Sequence, residues 1–223
     1  MTKNRLLIVG AGGFGREVLG WALAVPSDAR DWEVGGFLDA NQAALDGFPG
    51  DYSILGDPSS YVPGPNDVFL PAVADPATKL RICRRLRSRG GRFATLIHPS
   101  VIFGPACRIG EGCVLCPHVT LTTNVTLGEF VTINAYSGCG HDSVLGDGCT
   151  ISSHADVTGA VRLGEGVFLG SHAAVLPRVE VGNFAVIGAG SAVVRDVPAR
   201  ATVIGVPAKQ IAGFDAGPPV STA

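Results

Sequence analysis

One regularity constrains this chain more than any other: from Ile109 onward, every sixth residue is aliphatic. The series runs Ile109, Leu115, Leu121, Leu127, Ile133, Cys139, Leu145, Ile151, Val157, Leu163, Leu169, Val175, Val181, Ile187 and Val193, and only Cys139 departs. A second series four places on, from Cys113, Val119, Val125 and Val131 to Val197, holds only small or β-branched residues. Both are predicted to point inward. Every third hexad opens on one turn signature, as in Ile109-Gly110-Glu111, Leu127-Gly128-Glu129, Leu145-Gly146-Asp147, Leu163-Gly164-Glu165 and Val181-Gly182-Asn183. Three hexads thus make an 18-residue coil, and five coils fill 109–198. A helix of 3.6 residues per turn would smear such a period around its surface, whereas a short strand plus a corner keeps it on one side. An ordinary β-sandwich would not hold the phase over so long a run. The period therefore predicts a triangular prism of parallel strands around one apolar axis, each buried aliphatic contributing about 1.5–3 kcal/mol.

The preceding residues follow other rules. Arg5 to Val9 reads as a strand, Gly10-Ala11-Gly12-Gly13-Phe14-Gly15 as a turn, and Arg16 to Leu23 as a helix. This satisfies G-x-G-x-x-G, and Asp39, closing a second strand, stands where a ribose-binding acid is expected. Glycines let the backbone approach a phosphate, and a helix N-terminus favours its charge. A complete dinucleotide fold needs two mononucleotide halves, and the repeats start too early to leave room for the second. A nucleotide-diphosphate ligand is therefore expected ahead of a dinucleotide cofactor or a purely structural turn. Gly56-Asp57-Pro58 marks another turn and Val68 to Val73 a strand. Asp75-Pro76 opens a helix whose Lys79, Arg81, Arg84 and Arg85 are expected to form a solvated face. The expected organisation is a Rossmann-like α/β lobe over 1–95, an all-β prism over 96–209, and a tail over 210–223, mobile from Ala212.

Composition removes several classes. The 223 residues are 46% hydrophobic and 16% charged, which excludes a disordered or fibrous chain, and the 31 glycines suit many tight turns. A formal net charge of −2 without a long run of either sign argues against nucleic acid and polybasic membrane anchoring. The apolar run Leu6 to Val9 is broken by glycines and Arg16, too short for a membrane span or signal core. These features lead to the expectation of a cytoplasmic protein, with Cys83, Cys107, Cys113, Cys116, Cys139 and Cys149 as free thiols. Cys113 and Cys116 form a C-x-x-C without a second pair, so no metal is expected.

The prism resembles the hexapeptide-repeat acyltransferases over residues 97 to 209, Ile97 and Phe103 being already in phase. That family's fold is a left-handed parallel β-helix, an exception to the usual handedness. The resemblance implies a homotrimer with the acyl donor in the groove between two prisms. The N-terminal lobe resembles that of bacterial NeuD-type sialic acid O-acetyltransferases and PglD-type sugar-nucleotide N-acetyltransferases. Gly10 to Val18, Phe37 to Asn41, Gly56-Asp57, Asp75-Pro76 and Leu96-Ile97-His98-Pro99 carry the likeness. It implies that Gly12, Gly13, Phe14, Asp39 and Gly56 hold a nucleotide-linked sugar and that acetyl-CoA is the cosubstrate.

Acyl transfer from a thioester needs a proton acceptor for the attacking group and a donor for the developing oxyanion. Of five histidines, His98 precedes a proline at the prism entrance and reads as structural. His118, His154 and His172 occupy the fourth place of their hexads, at corners that are exposed or line a subunit groove. His141 lies in Asn134-Ala135-Tyr136-Ser137-Gly138-Cys139-Gly140-His141-Asp142, where the inward aliphatic is lost. A broken local rule is expected at a functional site. This run also resembles the family's catalytic histidine and acidic neighbour, which implies His141 as general base and Asp142 as its partner. Along a straight strand adjacent side chains point apart, so that pairing depends on the corner. Gly159 lies one coil beyond His141, and by family position its N–H reaches the acetyl oxygen. Thr150, Gly159, Gly188, Gly190 and Lys209 are the coenzyme positions the resemblance suggests. With no Walker lysine and no G-x-S-x-G, direct attack on the thioester is expected rather than an acyl-enzyme. The first reading is N-acetylation of a nucleotide-linked 4-amino-4,6-dideoxyhexose. O-acetylation of a sugar or sialic acid, and a non-catalytic nucleotide-sugar-binding scaffold, stay open.

Overall fold

The apolar run from Leu6 to Val9 is buried and forms most of β1 (Asn4–Val9). In this computed structural model, which describes residues 3–211, β1 lies inside a four-stranded parallel sheet. Its companions are β2 (Trp32–Leu38), β3 (Asp67–Pro71) and β4 (Arg92–Phe93), in the order β2-β1-β3-β4. The glycine turn leads from β1 into α1 (Gly13–Ala24). After β3, Asp75 accepts the Thr78 N–H at 2.7 Å and Pro76 takes the first position of α2 (Pro76–Ser88), a capped start legible in the sequence.

From Leu96 the chain winds into a left-handed parallel β-helix. Its strands, two residues each as far as Ala192–Val193, stack every 18 residues into three faces. The first face runs from Leu96–Ile97 through Thr132–Ile133 and Thr150–Ile151 to Thr202–Ile204. The second runs from Ile102–Phe103 through Gly138–Cys139 to Ala192–Val193, and the third from Arg108–Ile109 through Val144–Leu145 to Glu180–Val181. The inward series from Leu115 to Val193 is at most 3% exposed. Phe103, in phase with it, is exposed at the open end of the prism. Lys209–Gln210 folds back antiparallel to Val203 and Ile204. The tail expected from Ala212 lies outside the described residues.

Residues with φ near +60° turn the three edges. His118, Tyr136, His154, His172 and Gly190 separate the first face from the second; Asn124, Asp142 and Ala160 lie between the second and third; Phe130, Phe184 and Arg200 return to the first.

The lobe sits on the first face and the third-to-first edge, held by α2. Phe93 packs edge-on to Phe130 at 4.8 Å, Arg84 pairs with Glu165 at 2.6 Å, and Arg87 bonds Glu111 and Glu129. Arg81, Arg84 and Arg85 are exposed, as expected of a solvated basic face, although Arg84 also bridges the seam; Lys79 is the correction, being wholly buried in it. Helical periodicity carries Lys79 round to the prism, a neighbour the helix sequence does not announce.

Candidate functional site

A cavity of about 900 Å³ opens where β1, β2 and β3 end, as the parallel-sheet rule requires. Gly12, Gly13, Phe14 and Asp39, the residues expected to hold the nucleotide-linked sugar, line it together with Asp57, Ser59, Thr78, Arg81 and Arg85. The glycines divide their labour. Gly10, at φ 106°, and Gly15 make close backbone packing, since a Cβ on Gly10 would lie 2.7 Å from the Ala72 carbonyl and one on Gly15 would strike the Gly10 carbonyl. Gly12 has open space where a side chain would be, and Gly13 nearly so. Gly12 also caps α1 without a side-chain bond, leaving the helix's first amides directed at the cavity. Asp39 Oδ2 accepts the Ala11 N–H at 2.7 Å and Oδ1 the Asn41 N–H at 2.8 Å, so it braces the glycine turn. Each oxygen keeps capacity for another hydrogen bond. Gly56 is not on the wall; its carbonyl accepts the Asp39 N–H at 2.9 Å, placing it behind the acid. Sequence reading missed Arg81 and Arg85 as wall residues, although their spacing of four puts them on one helix face.

His141 and Asp142 turn the edge between the second and third faces. Because Asp142 has φ 62°, the two adjacent side chains converge instead of alternating, and His141 Nδ1 meets Asp142 Oδ2 at 2.8 Å. Asn124, one coil earlier, donates to Asp142 Oδ1 at 3.0 Å. The His141 and Asn124 hydrogen bonds, in that order, hold the Asp142 carboxyl below its ordinary range. An ionised carboxylate only accepts, so Nδ1 carries the hydrogen, and in the neutral imidazole the lone pair is then on Nε2. That nitrogen lies over Gly159: a Cβ there would be 2.5 Å from Nε2. Among the described residues, none accepts the Gly159 N–H. The arrangement supplies an exposed proton acceptor, a carboxylate that fixes its tautomer, and a neighbouring backbone donor.

The remaining coenzyme positions do not join this cluster within one chain. Thr150 is a correction. It is 1% exposed, donates to the Ala74 carbonyl at 2.8 Å and accepts from Lys79 at 2.9 Å. Nine residues after His141 is half a coil, which turns it onto the first face. Gly188 lies against Ile204 at the end of that face, Gly190 stands on the first-to-second edge, and Lys209 is exposed on the closing strand. The corner histidines form a feature the sequence reading did not assemble. His118, Tyr136, His154 and His172 stack with ring centroids 4.8, 5.1 and 4.8 Å apart, one ring per coil.

The edge bearing His141 is the one opposite the first face. The lobe and its cavity sit on the first face, so His141 lies on the edge away from the cavity of its own chain.

Residues 5–86 match the PglD N-terminal domain family. The chain is 32% identical over 78 residues to GDP-perosamine N-acetyltransferase of Escherichia coli O157:H7, an alignment spanning 35% of each protein. It is 30% identical to PerB from Caulobacter crescentus, solved with CoA and GDP-perosamine, over 92% of this chain and 96% of that one (TM-score 0.82). A variant of the Caulobacter enzyme with one histidine replaced by asparagine holds the same two ligands. The acetyltransferase domain of PglB from Neisseria gonorrhoeae FA1090 is 27% identical over 94% of this chain and all of that one (TM-score 0.83), and is also solved with acetyl coenzyme A. With lobe, prism and sequence matched along nearly its whole length, the chain belongs to the NeuD/PglD-type sugar acetyltransferase family.

Proposed function

We propose that this protein transfers an acetyl group from acetyl-CoA to the amine of a nucleotide-linked 4-amino-4,6-dideoxyhexose in the cytoplasm, as a homotrimer. The observation that carries the reading is the exposed His141–Asp142 pair, with Nε2 free, on the edge facing away from its own chain's cavity. A second copy must then bring its cavity to this imidazole. Repetition of one such heterologous contact closes a ring, and three copies complete three sites.

In that arrangement the cavity of one subunit holds the nucleotide, its diphosphate meeting the open N-terminus of α1, and presents the sugar amine to the neighbour's His141. Nε2 takes a proton from the amine as it attacks the thioester carbonyl. Nδ1–H stays on Asp142, which stabilises the imidazolium formed. The Gly159 N–H faces the developing oxyanion. Acetyl-CoA lies along the inter-subunit groove toward the C-terminal coils, past Gly188, Gly190 and Lys209.

The surface chemistry fits such a trimer. The third-to-first edge is covered by the chain's own lobe, and the third face presents Arg108, Arg162 and Glu180 to solvent. Exposed Ile102, Phe103, Tyr136, Leu176 and Val194 all lie on or beside the second face. That face and the aromatic ladder along its edge are the surface left for a neighbour.

A thiol-release assay with GDP-, UDP- and dTDP-linked amino sugars and their hydroxyl counterparts tests the proposal. Turnover of at least one amino sugar is expected, with the GDP-linked substrate first in line because the Caulobacter relative binds GDP-perosamine. Activity confined to hydroxyl acceptors would establish O-acetylation in its place.

A further inference from the structure

Lys79 has no part in the chemistry above, yet its surroundings are built for it. The ammonium is fully buried between α2 and the first face of the prism. Its Nζ donates to Thr132 Oγ1 at 2.9 Å, Thr150 Oγ1 at 2.9 Å and the Cys149 carbonyl at 3.2 Å. Three donors meet three acceptors, all neutral. A buried cation without a carboxylate is an expensive way to fill a seam that Leu or Met would fill well, so packing does not account for it.

Its partners suggest what does. The outward positions of the first face repeat every coil as Val114, Thr132, Thr150, Phe168 and Val186. An apolar helix face would sit on this ridge in several registers, about 4.8 Å apart, the spacing of neighbouring strands. Only one register offers two hydroxyls to an ammonium. The same two threonines lie half a coil before and half a coil after His141, and Thr150 passes its own hydrogen to Ala74 on the cavity wall. Thr78 and Arg81, flanking Lys79 in sequence, also line that wall.

We infer that Lys79 is a positioning residue that fixes the register of the nucleotide lobe on the prism, and with it the height at which each cavity presents its sugar to the neighbouring His141. A buried polar residue specifying register at a cost in stability has a parallel in the core asparagines of coiled coils. The inference rests on the acetyl-transfer reading for its kinetic consequence, not for its structural one.

The test is Lys79→Met, together with the triple variant Lys79→Met/Thr132→Val/Thr150→Val, which leaves no orphaned hydroxyl in the seam. Both are expected to stay folded and assembled and to bind nucleotide sugar and CoA within about threefold of the parent, while kcat drops about 10²-fold because the reacting atoms are misplaced by an ångström or more. Crystal structures superposed on the prism should show the lobe displaced or in more than one placement. A stable variant with kcat within threefold of the parent overturns the inference, as does a lobe unmoved on the prism. Loss of nucleotide affinity in proportion to kcat would also overturn it, by assigning Lys79 to the cavity itself. An inactive parent with a displaced lobe in the variant would instead strike the acetyl-transfer reading and leave the register role standing.

Discussion

Replacing Gly159 with alanine isolates the position of the His141 ring from everything else in the site. The new Cβ would stand 2.5 Å from Nε2, 2.8 Å from Cε1 and 3.0 Å from Cδ2. Comfortable carbon contacts begin near 3.5 Å, so the imidazole must retreat by about 1 Å. Gly159 is outside the left-handed region, so alanine brings no backbone strain. His141 is 64% exposed, so the retreat is into solvent and the stability change should stay within about 0.5 kcal/mol. The retreat pulls Nδ1 off Asp142 and moves Nε2 from the attacking amine, and an ångström of misplacement costs on the order of 10²-fold in rate. Alanine keeps the backbone N–H, so the proposed oxyanion donor is not removed. Steady-state thiol release should show kcat down about 100-fold, with CoA binding by calorimetry and the melting midpoint close to the parent's. Gly140→Ala is the contrast: its Cβ would meet the backbone of Gly159 and Thr158 at 2.6 Å, so it should lower the melting midpoint. A Gly159→Ala enzyme with kcat within threefold of the parent would refute the reasoning.

His141→Asn should lower kcat by about 10²–10⁴-fold with little change in either KM, and unchanged turnover removes it as the base. Lys79 sets a pH signature: burial lowers its pKa from 10.5 to about 8. Below pH 8 the amine is charged whether folded or unfolded, and folding bears the full cost of burying it. Between about pH 8 and 10.5 the native state sheds the proton first, which relieves that cost. Over that window the stability of Lys79→Met relative to the parent should therefore fall by an amount on the order of 3 kcal/mol, measured by denaturant unfolding. A difference flat across that range contradicts the assignment of a buried ammonium. Tyr136→Glu places charge in the aromatic ladder and should dissociate the proposed trimer in sedimentation velocity, while Val144→Glu on the third face should not; an intact Tyr136→Glu trimer would move the interface elsewhere.

The prism was legible residue by residue, because a period of six has one economical solution and every inward position reports on it. The glycine turn was legible for the same kind of reason, since Gly12 and Gly13 needed no knowledge of distant contacts. What escaped depended on how the two parts meet. Lys79 read as part of an exposed basic face with Arg81, Arg84 and Arg85, because nothing local says that a prism covers it. Thr150 was expected beside the coenzyme from the resemblance, whereas half a coil from His141 carries it to the opposite side. The contact of Asp142 with His141 was in doubt from strand geometry and is made by the left-handed corner. The ring ladder was available in the 18-residue spacing of His118, Tyr136, His154 and His172, which the coil length already provides.

A site shared between copies is tested most directly by subunit mixing. His141→Ala lacks the base but keeps its cavity; Gly12→Trp fills the open space at the glycine turn but keeps its base. Each homotrimer should be inactive. Random trimers formed from equal amounts of the two should recover ~25% of parental activity, since a quarter of the interfaces pair an intact cavity with an intact histidine. Mixed trimers without activity, under conditions where exchange is verified by mass spectrometry, would show that each site is completed within a single chain.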